Sequence, residues 1–232
     1  MNNADFLSHP LTRKEKIWGI GYLIFETFFL ALLLQWLNFL LPQPFPVAQL
    51  NFVFFVINFC AIAFVFRKFL LGQLKLLPEV VGNAIGIAIV GLVVYFLMNF
   101  MLAQVIFAID PNFFSVNDVA IQELVTENYG LMLFGTVIFV PITEEVLFRG
   151  LVFRGLHDHS PILAWIASIV LFSMMHIWGY IGAYSAKTLL LCFLQYLPAG
   201  ICLAGTYRLS GTILCPILIH AMVNYLSMIA LR

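Results

Sequence analysis

In the stretch Phe139 to Gly150, FVPITEEVLFRG, the residues Glu144, Glu145 and Arg149 bring two adjacent carboxylates and a guanidinium into a run that otherwise reads as a membrane-spanning helix. An ionised side chain at the bilayer centre costs roughly 2.5 to 3.5 kcal/mol, so three of them need a compensating role. On a helix Glu145 and Arg149 are four residues apart and meet on one face, whereas Glu144 is rotated by about 100° from Glu145. An intrahelical ion pair accounts for Glu145 and Arg149 and leaves Glu144 over. A free carboxylate in an apolar setting is placed to take a proton from water.

Two later apolar runs carry polar positions with the same spacing. Phe172 and His176 (FSMMH) share one helix face, and so do His220 and Asn224 (HAMVN). Singly, an intramembrane histidine is more often an interhelical hydrogen bonder than a catalyst, and an asparagine one turn away is ordinary packing glue. Jointly, a free glutamate, two histidines and an asparagine on separate helices have little reason to coexist unless they converge on water. Pro141 and Pro216 each precede a polar position within one turn and remove a backbone hydrogen bond there, a break tolerated where helices line an enclosed cavity. Peptide hydrolysis needs this combination: a base for water, and donors aimed where charge develops on the carbonyl oxygen. No serine or cysteine adjoins either histidine as a nucleophile, so direct attack by water is preferred to an acyl-enzyme.

The elements that hold these residues follow from composition. Of 232 residues 63% are hydrophobic and only 9% charged, with mean hydropathy +1.04, whereas soluble domains carry about 25% charged residues. The fold class is therefore all-α, a polytopic transmembrane helix bundle. A net charge of zero gives no electrostatic reason to expect nucleic acid. Cys60, Cys192, Cys202 and Cys215 lie in apolar segments without CxxC spacing and read as packing residues. No cleavable signal peptide is expected from the polar start MNNADFLSHPLTRKEK.

Seven spans are expected, over about 17–41, 50–71, 81–109, 131–154, 161–180, 188–207 and 212–230. The acidic stretch from Asp110 to Tyr129 separates the third from the fourth, with 116–125 forming a short amphipathic helix at the interface. This divides the chain into an N-terminal part, 1–129, and a core, 130–232. With a cytoplasmic N-terminus, Arg13, Lys14, Lys16, Arg67, Lys68, Lys75, Arg149, Arg154 and Arg208 fall inside and the acidic loop outside, as the positive-inside rule asks. Other features carry less. Gly82-x-x-x-Gly86 fits a close helix-packing face, His157-Asp158-His159 reads as a solvated loop rather than a metal site, and Glu26, Asn38 and Asn99 stand isolated in their spans.

The three motifs, Glu144-Glu145-x-x-x-Arg149, Phe172-x-x-x-His176 and His220-x-x-x-Asn224, in this order on successive hydrophobic segments, resemble the CPBP family, the CAAX proteases and bacteriocin-processing intramembrane endopeptidases, also called the abortive-infection family. The likeness covers roughly 131–230 with every motif position filled; family members often have eight spans. It implies an intramembrane endopeptidase with no cofactor and no metal, in which Glu144 activates water and His176 assists. His220 and Asn224 would stabilise the oxyanion, while Glu145, Arg149 and Phe172 are structural or substrate-orienting. The implied partners are the lipid bilayer and a membrane-associated protein or peptide substrate, lipidated in the CAAX branch, and the implied location is a bacterial plasma membrane. Three alternatives stay open: a zinc protease built on Glu144, His176 and His220, which would lack HExxH; a proton-coupled transporter, which would lack paired broken helices; and a non-catalytic scaffold.

The motif residues are further expected to line one cavity open toward the cytoplasm. The helix bearing His176 should begin outside the membrane and continue past Trp178, to bring His176 level with Glu144.

Overall fold

The structure, a computed structural model, describes residues 10–232, so most of the polar N-terminal start lies outside the described residues. The described chain is all-helical. Five helices are long and apolar enough to cross a membrane: α1 Arg13–Phe39, α2 Val47–Val65, α3 Arg67–Ile109, α4 Val116–His157 and, after the short α5, α6 Ala186–Ser210. Two more, α5 Pro161–Met175 and α7 Leu214–Ala230, are apolar but shorter. These two carry the histidine motifs. Large apolar side chains face outward around the bundle, among them Trp18, Phe39, Phe64, Phe100 and Ile162, as lipid contact requires.

Helix ends inside such a bundle leave backbone N–H groups that water cannot reach. Here distant side chains fill them. Glu15, whose neighbour Thr12 caps α1, accepts from the Phe69 N–H at 2.8 Å and ties the start of α1 to that of α3. Gln73 accepts from the Ile213 N–H at 3.0 Å at the start of α7. Glu127 accepts from the Ala48 N–H at 3.2 Å at the start of α2. The Asp110–Lys187 pair at 2.8 Å joins the end of α3 to the start of α6, so these two helices run antiparallel.

Several boundaries differ from the sequence reading. α2 and α3 meet at one non-helical residue, Phe66 (φ −100°, ψ 22°). α3 then runs unbroken through Pro78 for 43 residues, about 64 Å at 1.5 Å per residue and twice the hydrocarbon thickness. The close approach in α3 is at Gly91, not at Gly82 and Gly86, which face open space. A Cβ on Gly91 would lie 2.6 Å from Thr206 of α6 and 2.8 Å from Ile219 of α7. α5 does not continue past Trp178. It ends at Met175 because the His176 ring bonds back to the Phe172 carbonyl and a 3₁₀ turn, Trp178–Tyr180, follows.

A helix is present where 116–125 was expected to form one, as the first part of α4. The first part of α4 lies beside the ends of α3 and α6, with Val116 packed against Ile177 and Cys192, and reaches the start of α2 at Glu127. The chain then kinks at Asn128 (φ −155°, ψ 87°) and turns inward.

Candidate functional site

Past the kink, α4 is irregular on both sides of the Glu144-Glu145 turn. π-Helical turns span Gly135–Phe139 and Val146–Phe153, with the short α-helical piece Val140–Glu145 between them. Such bulges re-aim side chains relative to a regular helix. Glu144 and Glu145 are adjacent on the short α-helical piece between them, yet their surroundings differ. Glu145 and Arg149 are both 0% exposed. Arg149 Nη1 donates to Glu145 Oε1 at 3.2 Å, and Nε makes a second ion-pair contact to Oε2 at 3.2 Å. Arg149 Nη2 reaches the α6 carbonyls of Gly200 at 3.2 Å and Ala199 at 3.4 Å. The guanidinium also lies 4.3 Å from the Phe172 ring centroid, a cation–π contact in a dry setting. Phe172 thus packs against the guanidinium and both imidazoles, its ring centroid 4.8 Å from that of His176 and 6.0 Å from that of His220.

Hydrogen bonding fixes both imidazoles. His176 Nδ1 lies 2.9 Å from the Phe172 carbonyl, which can only accept, so Nδ1 carries the proton. His220 Nδ1 lies 2.8 Å from Glu145 Oε1, which already accepts from Arg149, so it too is the protonated nitrogen. Both Nε2 atoms therefore face Glu144, at 4.0 Å for His176 and 3.9 Å for His220 from its Oε2. Those separations exceed a direct hydrogen bond. Glu144 Oε2 is sealed from solvent and has no hydrogen-bond partner.

Glu144, His176, His220 and Asn224 line one cavity of about 620 Å³. Asn224 donates through Nδ2 to the Thr136 carbonyl at 2.9 Å, which uses one of its two amide hydrogens. The cavity does not run toward the end that carries Arg154 and Ser160. Its further lining, Asn99, Asn117, Asp118, Leu124, Ser227 and Leu231, leads to the opposite, acidic end under the first part of α4. A cytoplasmic N-terminus and a cytoplasmic mouth therefore cannot both hold.

The sequence reading missed three features of the site. Tyr196 of α6 stacks on the His176 ring, with centroids 3.9 Å apart. Its hydroxyl accepts from Asn117 Nδ2 at 3.0 Å and donates to Asp118 Oδ1 at 3.3 Å, both on the first part of α4. The Glu145–His220 bond was also unforeseen, since the two lie 75 residues apart. Glu26, which stood isolated in the sequence, lines the same cavity. By contrast, the His157-Asp158-His159 turn stays outside the site, where Asp158 pairs with Arg154 at 2.9 Å.

Residues 126–226 match the family described as type II CAAX prenyl endopeptidase Rce1-like. No curated protein and no solved structure matches the chain. The matched segment contains Glu144, Glu145, Arg149, Phe172, His176, His220 and Asn224 and leaves α1 to α3 outside. Over that segment the chain is similar to the Rce1-like CAAX endopeptidases, and its apolar helices are those of an integral membrane protein.

Proposed function

We propose that the chain hydrolyses a peptide bond near the C-terminus of a membrane-associated, prenylated substrate, with Glu144 as the base that activates water. The observation that carries this reading is the convergence of Glu144 Oε2 with the two Nε2 atoms, at 3.9 and 4.0 Å, in a cavity lined by all three residues. A water in that cavity donates one hydrogen to the Glu144 carboxylate and the other to His176 Nε2, both of which are acceptors. His220 holds its Nδ1–H on Glu145, so it serves as an oxyanion donor only as the imidazolium, with the ionised Glu145 beside it balancing that charge. Asn224 supplies its second amide hydrogen to the same oxyanion. Glu144 then passes its proton to the leaving amine. Arg149, Glu145 and Phe172 hold the frame. Residues 130–232 form the catalytic core, and the described residues before them, 10–129, close the cavity and shape the substrate path.

Prenylation of the substrate follows from the family's description and from a cavity whose walls include Phe54, Phe55, Ile121, Leu124 and Met228. A bacterial plasma membrane is the proposed location. The test uses purified protein in lipid nanodiscs and an internally quenched peptide ending in a farnesylated Cys-aliphatic-aliphatic-X sequence. Wild type should cleave it, should prefer it to the unprenylated peptide, and should keep its rate after chelator treatment, whereas a zinc site with ligands at about 2.0 to 2.2 Å would be stripped. Identical membrane proteomes from cells carrying wild type and Glu144→Ala would favour a scaffold or transporter instead.

A further inference from the structure

α1 contributes a second carboxylate to the cavity. Glu26 opens a π-helical turn, Glu26–Leu30, and that turn packs onto the His176 end of α5: Thr27 Oγ1 lies 3.3 Å from the Met175 sulfur, and the Phe28 and Trp178 rings meet edge to face at 5.0 Å. Glu26 is 9% exposed and lines the cavity beside Glu144 and His176. Its Oε2 is sealed from solvent with no hydrogen-bond partner, as is Glu144 Oε2. A carboxylate buried without a partner is expensive, and a structural role would normally supply one.

Among the described residues no lysine or arginine lines the cavity with this pair, and the His220 imidazolium is balanced by Glu145. From α1 itself comes Tyr22, which bonds to Asn58. The other titratable groups around the cavity are Tyr95 of α3, Asp118 of α4, His176, Tyr180, Tyr196 of α6 and His220 of α7. Arg149 is committed to Glu145 and the α6 carbonyls. Two carboxylates in one enclosed space do not both ionise; they hold one proton between them.

We propose that Glu26 is a further residue of the reaction site: it shares a single proton with Glu144 and presents that proton as a hydrogen bond to the water or substrate amide lying between them. The inference rests on Glu144 being the base. In the attack step one water O–H bond breaks and its proton goes to Glu144, the water oxygen bonds to the carbonyl carbon, and the C=O π pair moves to the carbonyl oxygen. The Glu26 proton stays in place, so both carboxyls are then neutral. At no stage do two negative charges face each other.

Glu26→Gln, a permanently neutral donor, and Glu26→Leu, which removes the donor, separate this role from packing. With the farnesylated quenched peptide, Glu26→Gln should keep kcat/KM within about threefold of wild type and Glu26→Leu should lose at least about tenfold, one hydrogen bond being worth about 1.4 kcal/mol here. Neither should melt below wild type, because Glu26 makes no hydrogen bond to give up. Wild-type kcat/KM should fall at alkaline pH as the shared proton leaves, and Glu26→Gln should keep only the part of that fall that belongs to the His220 imidazolium. Infrared difference spectra of the nanodisc protein need no substrate: wild type at neutral pH should show a protonated-carboxyl band that Glu26→Gln lacks. Full activity in Glu26→Leu, or the same band in both proteins, overturns the proposal. An active Glu144→Gln enzyme would overturn the base assignment instead.

Discussion

Glu144 and Glu145 are chain neighbours with opposite surroundings. Glu145 belongs to a dry, saturated floor: two nitrogens of Arg149, one of His220 and the Phe172 ring close around the pair, and neither partner is exposed. Glu144 belongs to the open side, where its Oε2 faces two imidazoles at a distance none of them bridges. Side by side they show how a membrane helix can carry one carboxylate for architecture and one for chemistry. The architectural one is paired with Arg149 and His220, and the chemical one faces two imidazoles without a direct bond to either.

The largest effect should come from breaking the floor. Removing either Glu145 or Arg149 alone strands a buried charge at roughly 3 to 5 kcal/mol, read as lost accumulation in the membrane and a lower melting temperature. The double replacement Glu145→Gln with Arg149→Met should recover part of that loss but not all, because His220 Nδ1 also loses its acceptor. Full recovery would mean that Glu145 holds only Arg149. On the open side, Asn224→Ala should lower kcat by the equivalent of about 2.7 to 4 kcal/mol, as for other oxyanion donors, with little change in KM. Equal losses in kcat and stability would place Asn224 with the floor, through its bond to the Thr136 carbonyl.

Smaller effects sharpen the boundary between the two regions. Tyr196→Leu removes the ring stacked on His176, a contact worth about 0.5 to 1.5 kcal/mol, and should lower kcat by up to about tenfold. Tyr196→Phe keeps the ring, severs the tie to Asn117 and Asp118, and should cost less; the reverse order would assign the effect to the α4 tie. The smallest effect lies outside the membrane. The hydrogen bond from Lys187 holds the Asp110 carboxyl below its ordinary range. A carboxyl depressed in the folded state adds stability that is present above its unfolded value and lost as pH falls through the folded one. Lys187→Met should therefore lower the melting temperature slightly at neutral pH and not at strongly acidic pH.

The sequence made part of this comparison legible. The i, i+4 spacing of Glu145 and Arg149 announces their pair, and the same spacing groups Phe172 with His176 and His220 with Asn224. The membrane cost of charge singles out Glu144, and hydropathy finds all seven apolar helices. What stayed hidden is tertiary. The stacking of Tyr196 on His176, the Glu145–His220 bond and the place of Glu26 join positions on different helices, for which no local period exists. The end of α5 at Met175 was hidden too, because the residues after it remain apolar and the stop is made by a side-chain bond to the Phe172 carbonyl.

The most direct measurement is turnover and melting of Glu144→Gln in nanodiscs beside wild type, with the farnesylated quenched peptide. Replacing a general base should lower kcat by about 10²- to 10⁴-fold, and a carboxylate that no protein group binds should leave the melting temperature unchanged. A variant that keeps its turnover, or that unfolds like Glu145→Gln, would contradict the account.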